Sequence, residues 1–181
     1  MNHLKKWQHL NSKMIIDHPW CKVRRDKIKL PNEKIIDDFF VHIKPDIAYV
    51  LGLTNNQEII FVKQYRYAID NFFIELPAGS FDPKIEEPET AAFREFQEET
   101  GYIASGLKKI ATLYDRPSKD TNKTHLFLAK EVIKSGKQKF DVTEDIEVLL
   151  IHKDAVLEKI YSGEISVNGT VAALMLGLKL I

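Results

Sequence analysis

The segment 87–101 carries five acidic residues and a single basic one, Arg94. Three of its acids are spaced i, i+3 and i+4, namely Glu95, Glu98 and Glu99. In a helix, residues at this spacing share one face. Pro88 suits a first helical turn, and Gly101 suits a left-handed stop just beyond the last turn. The spacing therefore predicts a helix over about 87–100 on which three carboxylates converge.

The charge around this face argues against an ordinary solvated helix, which usually pairs each Glu with Lys or Arg four residues away. Glu95 has Ala91 and Glu99 at those positions, so its charged neighbour repels it. One guanidinium cannot neutralise three carboxylates, whereas a hard divalent cation prefers oxygen ligands. We interpret the face as a metal site, with Mg²⁺ as the expected ion and Mn²⁺ as a substitute.

The same run resembles the Nudix box, G-x5-E-x7-R-E-U-x-E-E-x-G-U, in which U is a bulky apolar residue. The matching positions are Glu86, Arg94, Glu95, Phe96, Glu98, Glu99, Gly101 and Tyr102. The sequence departs from the pattern at the front, because six residues rather than five separate Gly79 from Glu86. The loop 80–85 therefore carries one extra residue, whereas the helix matches throughout.

A narrower resemblance flanks the box. The runs V-K-Q-Y-R-Y-A at 62–68 and E-L-P-A-G at 75–79 are similar to the ADP-ribose pyrophosphatase branch of the family. That branch also tends to carry a proline about sixteen residues beyond the box, where this chain has Pro117. The likeness covers roughly residues 45–150, and residues 1–44 match only in general character.

The expected fold is of the α+β class. Apolar runs between turn-like segments predict strands at 22–30, 35–43, 47–53, 59–65, 72–75, 109–113, 125–130 and 146–152. Helices are predicted over 153–162 and from an N-cap at Asn168 onward, and residues 1–14 form an arm of uncertain structure. The resemblance implies an α/β/α sandwich with a mixed sheet, residues 45–181, preceded by an antiparallel β-hairpin, residues 1–44.

The resemblance also implies a set of metal ligands and catalytic groups. The ligands are the side chains of Glu95, Glu98, Glu99 and Glu144 and the carbonyl of Ala78, and the catalytic residues are Glu98, Glu99 and Glu144. Arg94 is expected to orient carboxylates, including that of Glu86. The sequence shows no nucleophilic Cys or Ser motif, so water is the expected nucleophile.

Glu144 lies on the polar loop 136–145, whose only apolar residues are Phe140 and Val142. By resemblance, its carboxylate swings toward the metals as an extra ligand or as the base that deprotonates the attacking water. Asp141 is the second candidate for this role, and a solvated loop acid is the third interpretation. With so few apolar anchors, we expect low local stability.

Three residues are predicted to bind substrate: Arg66, Arg24 and Pro117. Arg66 follows the Q-Y motif and is either a surface charge or a fork that grips the diphosphate. Arg24, with Arg25, either contacts substrate across a dimer or protects a solvated edge strand. The aromatic residue that stacks on the base stays open among Trp20, Phe39, Phe40 and Tyr67.

Composition limits the remaining function classes. The formal net charge of the 181-residue chain is zero, so nucleic acid and anionic membranes are not expected partners. The single cysteine, Cys21, excludes an internal disulfide, and the apolar tail 171–181 is too short to span a bilayer. We expect a cytoplasmic protein, because a single cysteine suits a reducing compartment. The resemblance implies a homodimer, in which a partner chain would cover apolar residues of the hairpin.

Two classes of function remain. The first is a Mg²⁺-dependent hydrolase that cleaves the pyrophosphate bond of ADP-ribose or of another sugar nucleotide such as a GDP-hexose. The second is a Nudix-derived module that senses such a nucleotide without cleaving it. Non-catalytic relatives usually lose one or more box glutamates, and this sequence keeps them all.

Overall fold

The computed structural model describes residues 4–134 and 136–181. The chain divides into two compact units. The first unit combines Met1–Pro45 with Tyr114–Asn122, and the second combines Asp46–Leu113 with Lys123–Ile181. The first unit thus contains a later stretch of chain that the predicted division after residue 44 does not include.

The first unit is built on a three-stranded antiparallel sheet in the order β1-β2-β3. Its strands are β1 (Gln8–His18), β2 (Cys21–Lys29) and β3 (Ile35–Ile43). The predicted hairpin corresponds to β2 and β3, but β1 extends it to a third strand that the sequence did not indicate. Every residue of β1 is exposed, so β1 carries no alternating apolar pattern and is held by its pairing with β2.

The segment Tyr114–Asn122 is fastened to β3 within the first unit. The backbone of His42 pairs with it on both sides, donating to the carbonyl of Lys119 at 2.8 Å and accepting from Thr121 at 3.1 Å. The Asp120 side chain is 3% exposed and is bonded by three basic groups. They are His42 Nδ1 at 2.9 Å, Lys44 Nζ at 2.7 Å and Arg116 Nη2 at 2.8 Å.

The second unit contains nine described strands and three helices. The strands are β4 (Asp46–Leu53), β5 (Glu58–Arg66), β6 (Asn71–Glu75), β7 (Ala78–Phe81), β8 (Tyr102–Ile103), β9 (Leu107–Leu113), β10 (Thr124–Lys130), β11 (Ile133–Lys134) and β12 (Ile146–His152). The helices are α1 (Pro88–Thr100), α2 (Val156–Tyr161) and α3 (Asn168–Gly177). Seven of the strands form one sheet in the order β12-β5-β4-β10-β9, with β6 paired to β5 and β7 to β4. Because β4 and β10 are parallel and the other pairs are antiparallel, the predicted mixed sheet is confirmed.

Alternating side chains of the central strands build a separate core on each face of this sheet. One core places Val50, Ile60 and Phe127 against Phe96 and its neighbours on α1. The other places residues of the same strands against α2 and α3, and its buried members include Leu51, Phe61, Leu126, Val156, Ala173 and Leu174. Helices therefore cover both faces, and the predicted α/β/α sandwich is confirmed.

The ends of α1 are formed by the residues that the sequence indicated. Pro88 is the first helical residue, and Gly101 adopts φ of 71° while its N–H donates to the carbonyl of Gln97 at 2.8 Å. The predicted N-cap of α3 is wrong by one residue, because Asn168 is already helical and makes no capping bond. Among the described residues, no helix has the length and apolar character needed to cross a membrane.

Candidate active site

The carboxylate face of α1 lies directly against the backbone of β7. A Cβ atom added to Gly79 would lie 1.8 Å from Glu95 Cδ, so only glycine leaves room for this side chain. One position earlier, the N–H of Ala78 donates to Glu99 Oε2 at 2.9 Å. The E-L-P-A-G motif thus ends in a strand that holds two of the predicted metal ligands at its surface.

Arg94 connects two carboxylates of this face to Glu86, which precedes α1. Its Nε and Nη2 donate to the two oxygens of Glu86 at 3.1 and 2.9 Å. Its Nη1 donates to Glu95 Oε1 at 2.6 Å and to Glu98 Oε2 at 3.3 Å. These bonds lower the pKa of Glu86 and raise the pKa of Arg94. The predicted role of Arg94 in orienting carboxylates, including Glu86, is confirmed.

The two innermost carboxyl groups are unfavourable places for negative charge. Glu99 is only 3% exposed, and burial raises its pKa to about 8 against the opposing effect of the Ala78 hydrogen bond. Burial also raises the pKa of Glu95 above its ordinary value, although Arg94 counters the shift. The charges of Glu95 and Glu144 add to the shift at Glu99. A cation placed here would offset both the cost of burying these charges and the repulsion between them.

The donor set fits a hard divalent cation, although the carboxylates are not gathered around one point. Over residues 4–134 and 136–181, no three acidic, His or Cys side chains form a group that could hold one ion as they stand. The reason is visible in the contacts, because Arg94 holds Glu95 and Glu98 while Ala78 holds Glu99. All the candidate donors are oxygen atoms, the type that Mg²⁺ and Mn²⁺ prefer.

Glu144 is close enough to the carboxylate face for its charge to act there. Its negative charge contributes to the raised pKa of both Glu95 and Glu99. Its own Oε2 accepts a hydrogen bond from the backbone N–H of Asp141 at 2.9 Å. Asp141 is exposed, and its backbone N–H is the group that contacts Glu144.

The positive charge of Arg66 also acts on the carboxylate face, where it lowers the pKa of Glu99. Its Nε and Nη2 donate to the two oxygens of Glu75 at 2.7 and 2.9 Å. The sequence did not indicate Glu75 as a partner. In the β5–β6 pairing the residue opposite Arg66 is Asn71, so strand register alone would not have found the pair.

Arg24 and Pro117 belong to the first unit. Nε of Arg24 contacts both oxygens of the buried Asp26 at 3.1 and 3.0 Å. Pro117 is exposed, and so is Arg25, the residue after Arg24 in β2. Three of the base-stacking candidates, Trp20, Phe40 and Tyr67, are exposed as well. Phe39 is half-buried, with the ring of Trp7 at 5.7 Å and Lys119 Nζ at 4.3 Å from its centroid.

The Glu144 loop has little apolar anchoring, because its two apolar residues, Phe140 and Val142, are 40% and 106% exposed. Polar contacts from Gln138 and Lys139 to the last turn of α1 also hold the loop, and the sequence did not indicate them. Long-range hydrogen bonds of this kind leave no periodic signal in a sequence.

Comparison with family models and known proteins agrees with this architecture. Residues 7–42 match the nucleoside diphosphate sugar hydrolase N-terminal domain, and residues 44–164 match the NUDIX domain. A crystal structure of an ADP compounds hydrolase superposes with a TM-score of 0.83 at 19% identity, covering 99% of this chain and 96% of that one. At this identity, the superposition establishes the shared fold alone.

Two relatives share more sequence with this chain. The ADP-ribose pyrophosphatase of Bacillus subtilis (strain 168) is 36% identical over 141 residues, which cover 77% of this chain and 75% of the relative. The GDP-mannose pyrophosphatase of Cronobacter sakazakii (strain ATCC BAA-894) is 31% identical over 135 residues, covering 70% of each chain.

We expect Gly79→Ala to weaken divalent-metal binding, because the added methyl group must displace the Glu95 carboxylate. Calorimetric titration of the variant with Mg²⁺ and Mn²⁺ should show a fall in affinity of at least tenfold. Gly106→Ala is the matched control, since a Cβ there meets nothing within 4 Å. Equal metal affinity in both variants would show that Glu95 is not a ligand.

We expect Glu99→Gln to change how the stability of the metal-free protein depends on pH. The folded-state pKa of Glu99 is raised to about 8, so its contribution is fully present below its ordinary value of 4.5 and is lost as pH rises through 8. One pKa unit corresponds to about 1.4 kcal/mol, so the wild-type free energy of unfolding should fall by up to several kcal/mol over this window. Glu99→Gln should remove most of that fall.

The measurement is urea unfolding in EDTA at several pH values between 5 and 9, with Glu89→Gln on the exposed start of α1 as the control. Added Mg²⁺ should restore wild-type stability at the alkaline end and should help Glu99→Gln much less. If the free energy of unfolding changes with pH in the same way in wild type and Glu99→Gln, the raised pKa of Glu99 is contradicted.

Proposed function

Since the chain belongs to the NUDIX family and resembles ADP-ribose pyrophosphatases, we propose that it is a pyrophosphohydrolase. The bond that we propose it cleaves is the pyrophosphate bond of ADP-ribose. The products would be AMP and ribose 5-phosphate. Nudix hydrolases generally need divalent metal ions, and we propose Mg²⁺ as the physiological ion, with Mn²⁺ as a substitute.

The complete carboxylate face is the observation that carries this proposal. Glu95, Glu98 and Glu99 are spaced to share one face of α1, where Arg94 bonds Glu95 and Glu98 and the N–H of Ala78 on β7 bonds Glu99. A module that only senses a nucleotide has no need to bury such repelling charges. The face therefore favours the hydrolase over the sensing module.

The chemistry follows from the charge of the substrate. A pyrophosphate is doubly negative near neutral pH and repels an attacking hydroxide, so positioning and electrostatics must remove most of the barrier. Bound Mg²⁺ screens this charge, polarises the P–O bonds and lowers the pKa of water. Glu95, Glu98, Glu99 and the carbonyl of Ala78 would hold the metal.

Water attacks one phosphorus, and the bond from that phosphorus to the bridging oxygen breaks. We assign Glu144 as the base that takes the proton from the attacking water. The support is that the charge of Glu144 raises the pKa of both Glu95 and Glu99, while the exposed Asp141 contributes a backbone N–H. In this assignment the carboxylate moves from the N–H of Asp141 to the attacking water.

Arg66, Arg24 and Pro117 are proposed as substrate contacts. Glu75 holds one edge of the Arg66 guanidinium, which leaves the N–H groups of Nη1 available to the diphosphate. Arg24 is similarly fixed by Asp26 through Nε. The assignment of Arg24 and Pro117 rests on the family resemblance.

We further propose a cytoplasmic homodimer in which residues 1–44 contribute to the interface. Strand β1 is an edge of its sheet and exposes consecutive apolar side chains. Met14, Ile15 and Ile16 are 39%, 46% and 45% exposed. The exposed thiol of Cys21 is compatible with a reducing compartment.

Hydrolysis of a panel of nucleoside diphosphate sugars, with product phosphate groups measured after coupling to a phosphatase, tests the substrate. We expect ADP-ribose to be the fastest substrate, and GDP-mannose is the runner-up. Activity should require Mg²⁺ or Mn²⁺ and fall by orders of magnitude in Glu99→Gln. If ADP-ribose is cleaved far more slowly than every other compound, the assigned branch is wrong, and binding without cleavage would favour the sensing module.

Substitution of the two loop acids tests the assignment of the base. Glu144→Gln should lower kcat by roughly 10²–10⁴ while KM stays within a few-fold, the usual result of losing a general base. Asp141→Asn is the matched control and should stay near wild type, because its backbone N–H is retained. A loss in Asp141→Asn alone would move the role to Asp141, and no loss in either variant would remove it from the loop.

Light scattering tests the oligomeric state. We expect a mass near twice the 20.9 kDa of the chain at micromolar concentration. Ile15→Glu should shift the protein toward monomer by placing charge on β1, whereas Ile133→Glu, at a 60% exposed position of the second unit, should not. A wild-type mass near 21 kDa would exclude the stable dimer.

A further inference from the structure

The last turn of α1 is completed by residues from a distant part of the chain. The final carbonyls of a helix lack partners within the helix and must find donors elsewhere. Nε2 of Gln138 donates to the carbonyl of Glu99 at 2.7 Å, and the N–H of Lys139 donates to the carbonyl of Glu98 at 2.9 Å. The N–H of Gly136 reaches the carbonyl of Gly101 at 3.0 Å.

These contacts fall on residues with a second task. The backbone carbonyls of Glu98 and Glu99 are capped, while their side chains form part of the carboxylate face. The capping residues Gly136, Gln138 and Lys139 lie in the segment 136–139, which we term the loop root and which precedes Glu144 on the same loop. The loop that carries the proposed base is therefore hydrogen-bonded to the backbone of two proposed metal ligands.

Beyond the root, the loop changes character. Residues 140–144, the loop tip, include the exposed Phe140 and Val142. The tip is closed by a turn in which the N–H of Glu144 donates to the carbonyl of Asp141 at 3.0 Å. The Glu144 carboxylate returns to the N–H of Asp141 at 2.9 Å. A firmly bonded root and a tip with little packing are the two parts that a pivoting carboxylate needs.

We propose that Gln138 is a positioning residue for catalysis, because its side-chain bond to the carbonyl of Glu99 fixes the pivot about which Glu144 moves. This role rests on the proposed function, in which Glu144 is the base. Gln138 touches neither water nor substrate in this scheme. It acts by fixing where the carboxylate arrives, and a small misplacement of a reacting group is enough to slow chemistry strongly.

The first test compares Gln138→Leu, which removes the donor at similar size, with Gln138→Lys, which restores a donor at the helix C-terminus. Gln138→Leu should lower kcat roughly 10- to 100-fold while KM stays within about threefold. Gln138→Lys should recover most of this loss. The exposed neighbour Lys137, changed to Ala, is the matched control and should leave kcat unchanged. Failure of Gln138→Lys to recover activity would overturn the role of the donor.

A double-mutant cycle separates positioning of Glu144 from general damage to the site. In the Glu144→Gln background, Gln138→Leu should change kcat by less than about twofold, since the group that it positions is already absent. A further tenfold loss in that background would show that Gln138 acts through the metal face, and would overturn the proposal.

A third measurement needs no substrate. Backbone amide exchange of the free protein should show Lys139 protected in wild type, Lys137→Ala and Gln138→Lys, and at least tenfold faster in Gln138→Leu. Unchanged protection in Gln138→Leu would overturn the anchor. An inactive wild type would instead refute the proposed function, while the exchange result would still decide whether Gln138 anchors the loop.

Discussion

The interaction on which the rest of the site depends is the sharing of Arg94 among Glu86, Glu95 and Glu98. Glu95, Glu98 and Glu99 carry like charges at the spacing of one helical face and would repel one another, and burial raises the cost of their charge. A single guanidinium offers five donors in a planar fork, so it can hold one carboxylate bidentately and still reach two more. Arg94 thereby keeps the face assembled while leaving more negative charge than it can neutralise.

The sheet supplies the other half of this arrangement. Strand β7 runs along β4, and its Gly79 lets the backbone approach Glu95 more closely than any side chain would permit. On the opposite side of β4, α3 fills the second core and fixes the position of the strand. The carboxylate face thus depends on close packing, because its geometry requires α1 to stay in contact with the sheet.

The sequence predicted the elements whose signals are local. The spacing of Glu95, Glu98 and Glu99, with Pro88 and Gly101 at the ends, was sufficient to locate α1. The central strands were visible because both of their faces are buried and apolar. The partner of Arg66 and the anchor of the Glu144 loop were not predictable, because each depends on contacts between segments that no local pattern relates. Strand β1 was not predicted for a different reason, since a strand that is exposed on both faces needs no alternation of apolar and polar residues.

The fastening of Tyr114–Asn122 to β3 limits how separable the two units are. The first unit is assembled from two stretches of chain, and the second of them is inserted between β9 and β10 of the other unit. Removing Met1–Pro45 would strip His42 and Lys44 from Asp120 and leave this aspartate with Arg116 alone among its three basic partners. The first unit therefore cannot be exchanged by replacing Met1–Pro45 alone. A chimera between relatives must take both of its stretches of chain from the same parent.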